Sequence, residues 1–188
     1  MDRLFSEDGT LKKIAITGGA ALTLCKADVP YGVSWDGDHI VFGQGNKGVM
    51  RVSANGGGPE LVVRVNASET ASGPQTLDGG RALLFTLATG AGAERWDTAQ
   101  IVVQVLSSGE RKVVLRGGSD ARYLPTGHLV YALGGTLLAV PFDVKKLEVR
   151  GGPTQSSKVS GDRRFLHSCL PIRSSRSHPL AMGTQKSM

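Results

Sequence analysis

Residues 117–143 read GGSDARYLPTGHLVYALGGTLLAVPFD, and two meanings compete for them. Ser119, Asp120 and His128 are the residue types of a hydrolase's nucleophile, acid and base, gathered in one short stretch. The same stretch alternates apolar runs, LVYAL and TLLAVPF, with glycine-bearing turns at Thr126-Gly127 and Gly134-Gly135, the pattern of strands joined by tight turns. Recurrence decides between them, because a period of 20 to 50 residues sets the whole fold.

The phrase does recur. VSWDGDHIVFG begins at Val33, QTLDGGRALLFT at Gln75 and RYLPTGHLVYAL at Arg122; their glycines Gly37, Gly79 and Gly127 stand 42 and 48 residues apart. Each copy has a short lead-in, an Asp-Gly or Thr-Gly turn and an apolar run ending in or near an aromatic ring. A second phrase alternates with the first: GTLKKIAITGGAALTL, KGVMRVSANGGGPELV, AQIVVQVLSSGERKVVL and GTLLAVPFDVKKLEV. Each is a strand, a turn and a strand, with alternation visible where Leu11, Ile14 and Ile16 flank Lys12 and Lys13. No window of twelve residues carries a helical apolar stripe, and the 26 glycines are spread along the chain. The fold class is therefore all-β, with short strands grouped as blades of about 40 residues.

At this point the residues match a known pattern. VSWDGDHIVF, QTLDGGRALLFT and YLPTGHLVYA resemble the Ser/Pro-Asp-Gly turn and apolar strand of the TolB-type, WD40-like β-propeller repeat. Residues 9 to 153 are similar to the propeller attached to bacterial serine/threonine protein kinases, in which GG.P..L turns separate blade strands. The resemblance implies a partial propeller of three to four blades over residues 1–153. It also implies a sensor or scaffold role without catalysis, and a protein, peptide or cell-envelope ligand. The kinase's own chemistry does not carry over, since the chain has no Gly-rich nucleotide loop, HRD or DFG. Terminal blades of a partial ring have open strand edges, so self-association through those edges is expected.

Charge sets the rest of the chain apart. Residues 1–143 hold 13 Lys/Arg and 14 Asp/Glu, a net of −1, whereas residues 144–188 hold 9 and 2, a net of +7. From Thr154 onward the chain is rich in Ser and Arg and loses its glycine-punctuated alternation, so residues 154–188 are expected to be a basic tail, disordered or foreign to the repeat. The coding frame is expected to be interrupted near residue 154. With the basicity confined there and only 5% aromatic residues, nucleic acid is not an expected partner. No run of 18 apolar residues occurs, so no membrane insertion is expected, and the acidic N-terminus MDRLFSED does not read as a secretory signal. A cytoplasmic location is expected for this chain, and a periplasmic or other extracytoplasmic one if it belongs to a larger kinase-linked protein.

The remaining chemistry is weighed residue by residue. Neither GGSDA (Gly117 to Ala121) nor GVSWD (Gly32 to Asp36) completes Gly-x-Ser-x-Gly, and neither leads into a helix. Turn chemistry explains Ser119 and Asp120 more simply. A serine ester hydrolase using Ser119, Asp120 and His128 or His167, or a propeller that gates a peptidase, stands as the alternative function. Asp36, Asp38 and His39 are read as a hairpin turn, since the further acids of a calcium loop are missing. No metal and no cofactor is expected, and Cys25 and Cys169 read as two free thiols. The binding candidates are Arg95, Trp96, Arg122 and Tyr123, because Arg, Trp and Tyr are the usual anchors of interfaces.

Overall fold

The structure, a computed structural model, describes residues 2–158. It is built from four antiparallel sheets, each an up-and-down meander in chain order. The first blade holds Asp2–Glu7 (β1), Thr10–Ala15 (β2) and Leu22–Lys26 (β3); the second Val33–Asp36 (β4), His39–Gly43 (β5), Val49–Ser53 (β6) and Glu60–Val63 (β7). The third holds Glu69–Leu77 (β8), Ala82–Thr89 (β9), Gln100–Val105 (β10) and Arg111–Arg116 (β11). The fourth holds Ser119–Leu124 (β12), His128–Leu133 (β13), Thr136–Asp143 (β14), Glu148–Val149 (β15) and Thr154–Lys158 (β16), with β15 and β16 both paired to β14. Thus β16 extends the last sheet five residues past the boundary expected at 153.

The repeated phrase is the hairpin between the two inner strands of a blade. Its turn differs in length from copy to copy: Asp36 pairs with His39, Leu77 with Ala82 and Leu124 with His128. Gly37, Gly79 and Gly127 all take positive φ in these turns, where a side chain would be strained. Asp36 and His39 therefore close a hairpin, with both side chains exposed.

Strand alternation places the cores between blades. In β5, Ile40 and Phe42 turn towards the first blade and pack with Leu11, Leu24, Cys25 and Val52, while Val41 turns towards the third. In β9, Leu83, Phe85 and Leu87 meet Val41, Val49 and Val63 of the second blade, whereas Leu84 meets Leu129, Tyr131, Val140 and Phe142 of the fourth. Each fully buried side chain of this size contributes about 1.5–3 kcal/mol of hydrophobic stabilisation. Cys25 lies inside the first of these cores, and burial pushes its thiol pKa up. Cys169 and His167 lie outside the described residues.

Polar ties reinforce the same joints. Arg81 bonds Asp78 at 2.6 Å and donates across the joint to the carbonyls of Val144 (3.2 Å) and Lys145 (2.9 Å), while the Lys145 ammonium also meets Asp78. Lys112 reaches Glu148 at 2.7 Å, and Arg111 donates to the Arg64 carbonyl at 2.7 Å. No helix among the described residues is long and apolar enough to cross a membrane.

Candidate functional site

The inner strands β4, β8 and β12 stand side by side around the axis on which the blades converge. Their partners on the second strands fix an equivalence: Ser34 opposite Val41, Gln75 opposite Leu84 and Arg122 opposite Val130. Two residues before each of these stands a residue with positive φ: Gly32 (+79°), Gly73 (+58°) and Asp120 (+53°). The chain there bulges inward, as the register breaks between Ser72 and Gln75 and between Ser119 and Arg122 show. Asp120 thus occupies a bulge position that the other two blades fill with glycine; aspartate is one of the few side chains that tolerates it. Its N–H donates to Thr86 Oγ1 at 3.0 Å.

These bulges touch one another. A Cβ on Gly32 would lie 2.8 Å from Gly73 Cα, so the two backbones meet without intervening side chains. The Gly73 N–H donates to the Tyr31 carbonyl at 2.7 Å, and Arg122 Nη1 donates to the Gly73 carbonyl at 2.5 Å. Burial of the Arg122 guanidinium lowers its pKa, and the neighbouring Asp120 carboxylate opposes that shift. Beside Gly73, the Ser72 hydroxyl is 1% exposed and its Oγ finds no hydrogen-bond partner among the described residues.

Tyr31 extends this axial cluster outward. Its ring centroid lies 6.5 Å from that of Trp96, and the Arg95 guanidinium rests 4.7 Å from the Trp96 ring centroid. Arg95 donates from Nη1 to the Gly90 carbonyl at 3.3 Å, while its buried Nε has no partner among the described residues. A cleft of about 570 Å³ opens beside Tyr31, lined also by Asp28, Gln44, Asn46, Lys47 and Thr70. It joins an aromatic wall to amide, hydroxyl and charged groups, the mixture with which proteins orient a ligand.

The four binding candidates therefore fall in two environments. Arg95 and Trp96 lie together beside Tyr31, and Arg122 reaches the Gly73 carbonyl that follows the Tyr31-bonded amide. Tyr123 instead turns its ring into the core, edge-on to Phe142 at 5.9 Å. Gln75 holds its backbone from both sides, Nε2 donating to the Tyr123 carbonyl at 3.2 Å and Oε1 accepting from its N–H at 2.8 Å. Tyr31, Gly32, Gly73 and Gln75 were missed in the sequence, although all sit in or just before the lead-ins of the repeated phrase.

Ser119, Asp120 and His128 are set apart by the same hairpin. Ser119 faces Ala132 and His128 faces Leu124, at opposite ends of the β12–β13 pair and so about 13 Å apart along the strand direction. His128 Nδ1 is instead engaged with Thr126, 3.1 Å from its carbonyl. Among the described residues no three His, Cys, Asp or Glu side chains cluster as metal ligands would.

No family model and no curated protein matches the sequence. Solved structures share its fold. Regucalcin from Agrobacterium tumefaciens, a calcium-binding protein, superposes with a TM-score of 0.58 at 11% identity, covering 82% of this chain and 55% of its own. A luciferin-regenerating enzyme gives 0.59 at 12% identity, covering 79% and 53%. TolB from Acinetobacter baumannii gives 0.56 at 18% identity, covering 75% and 36%. The chain spans about half the length of the first two and about a third of the last. The fold is that of a TolB-like β-propeller.

Proposed function

We propose that this chain is a non-catalytic binding module whose ligand, a protein, peptide or cell-envelope component, is received where Tyr31 borders the cleft, with Trp96 and Arg95 beside that ring and Arg122 approaching the axis. One observation carries the reading: aromatic and guanidinium groups from three different blades are brought together by the inner bulges and by the loop around Trp96. Such groups bury large rigid surfaces at little entropic cost and supply directed donors. Loops fixed by a rigid ring are where recognition is usually carried. The finer role, a sensor of the kind attached to bacterial serine/threonine kinases, rests on the resemblance of the repeated phrases alone.

Phage-displayed peptides selected on the full chain test this reading. Binders are expected to lose at least tenfold in affinity to Trp96→Ala and to Arg122→Ala, and to bind Ser119→Ala unchanged. In a Trp35→Phe background they are also expected to shift the fluorescence of Trp96. Binders indifferent to both Trp96 and Arg122 would overturn the proposal.

A further inference from the structure

The turn between β6 and β7, Ala54-Asn55-Gly56-Gly57-Gly58-Pro59, lies against the first blade and is pinned at both ends. Ala54 is buried and donates its N–H to the Asp38 carbonyl at 2.8 Å. Gly57 donates across the joint to the Leu24 carbonyl of β3 at 3.0 Å. A Cβ on Gly56 would lie 3.3 Å from that same oxygen, and Gly56 and Gly57 take φ of +87° and +133°, so side chains are disfavoured at both. Leu24 packs in one core with Ile40, Phe42, Val52 and Ala54, and the turn therefore closes the joint between the first and second blades.

Between these two anchors stands Asn55, exposed and followed by glycine. The side-chain carbonyl carbon of an asparagine is an electrophile within reach of the next backbone nitrogen, with which it can close a five-membered ring. Glycine has no Cβ to crowd that approach and reaches the ring-closing backbone angles freely. In the closed turn the Gly56 N–H donates to the Ser53 carbonyl at 2.9 Å and the Asn55 N–H to Ser53 Oγ at 3.1 Å, so attack waits for these two bonds to open. Both lie at an exposed tip, where opening is local and leaves the blades folded. The other two asparagines of the chain are placed less favourably. Asn46 precedes Lys47, whose N–H donates to the Gln44 carbonyl at 3.1 Å. Asn66 precedes Ala67 and is held by Glu69 on both sides, its N–H by the carboxylate at 2.8 Å and its carbonyl by the backbone N–H at 2.9 Å.

We propose that Asn55 is a site of spontaneous covalent modification, converting through a succinimide to isoaspartate and aspartate, and that the isoaspartate form loosens the joint between the first and second blades. Gly56 N attacks Asn55 Cγ: the Cγ–N bond forms, the Cγ–Nδ2 bond breaks, and the Gly56 amide proton leaves, by way of solvent, on the departing ammonia. Water then opens the ring. Addition at Cγ gives aspartate, whereas addition at the Asn55 backbone carbonyl gives isoaspartate, in which the main chain runs through the former side chain. The first product adds a charge at an exposed position. The second adds a methylene to the backbone between Ala54 and Gly56, and with Ala54 fixed by its burial and its bond to Asp38, the mismatch falls on the Gly57 bond to Leu24.

The full chain, held in mildly alkaline buffer at body temperature, supplies the test, with its proteolytic peptides followed by mass spectrometry and electron-transfer fragmentation to tell isoaspartate from aspartate. Conversion at Asn55 is expected to run at least tenfold faster than at Asn46 or Asn66, with isoaspartate among the products. Asn55→Gln, which would have to close a larger ring, is expected to slow conversion at that position at least tenfold. Amide hydrogen exchange at Gly57, read on the peptide that carries isoaspartate, is expected to quicken at least tenfold. Asn55→Asp, which brings the charge without the extra methylene, is expected to leave that exchange unchanged. Three results would overturn the proposal: Asn55 converting no faster than Asn46 or Asn66, aspartate forming without isoaspartate, or Gly57 exchange that isoaspartate does not alter.

Discussion

Gln75 grips Tyr123 by both ends of its amide, 2.8 Å to the N–H and 3.2 Å to the carbonyl, and so stands in for a strand that the inner edge of β12 does not have. Removing it strands two backbone groups, and each unsatisfied group costs about 1–3 kcal/mol when buried. Gln75→Ala is expected to lower stability by about 2 kcal/mol in urea unfolding, and Gln75→Glu, which accepts but cannot donate, by less.

Asp120 sits where its two counterparts are glycine, at φ +53°. A β-branched residue is strained there and glycine is not, so Asp120→Val should be about 1–2 kcal/mol less stable than Asp120→Gly. If the two variants unfold at the same denaturant concentration, the bulge reading of Asp120 fails.

Acid should loosen the joint between the third and fourth blades first. Hydrogen bonding from Lys145, with Arg81 beside it, holds the Asp78 carboxyl below its ordinary value. Backbone N–H groups of Lys146 and Lys145, with Arg150 nearby, do the same for Asp143. A carboxylate whose pKa is lowered on folding contributes stability that is present above the unfolded value, near 4, and is lost as the pH falls through the folded one. The melting temperature is expected to drop below about pH 4. Asp78→Asn should flatten that drop while lowering the plateau above it.

Ser119 is expected to be catalytically silent. With His128 at the far end of the hairpin, hydrolysis of p-nitrophenyl acetate by Ser119→Ala should equal that of the unaltered chain. A rate that disappears with Ser119 would restore the hydrolase reading.

The blades were legible because alternation and turn glycines act locally: LVYAL and TLLAVPF are strands in any setting that buries one face of each. The order of the sheets followed from the repeat, since successive hairpins of one phrase must stack to bury their apolar faces. The inner bulges were not legible. Gly32, Gly73 and Asp120 are equivalent only once strand partners are known, because the three turns between them and the next strands differ in length. Aligning on Gly37, Gly79 and Gly127 shifts the lead-ins out of register and hides the equivalence. Arg95 and Trp96 could be picked out as anchor types, but their neighbour Tyr31 lies more than sixty positions away in the chain.

The alternation that sends Ile40 and Phe42 one way and Val41 the other gives every inner joint two owners. Stability then behaves like that of a row of coupled spins, each blade held by its own sheet and by its nearest neighbours. The second and third blades, each clasped on both faces, are the slowest to open, and unravelling runs inward from the outer blades. An injury to one joint is felt at the next but fades with distance, so the cleft beside Tyr31, seated at the joint between the second and third blades, occupies the quietest part of the molecule.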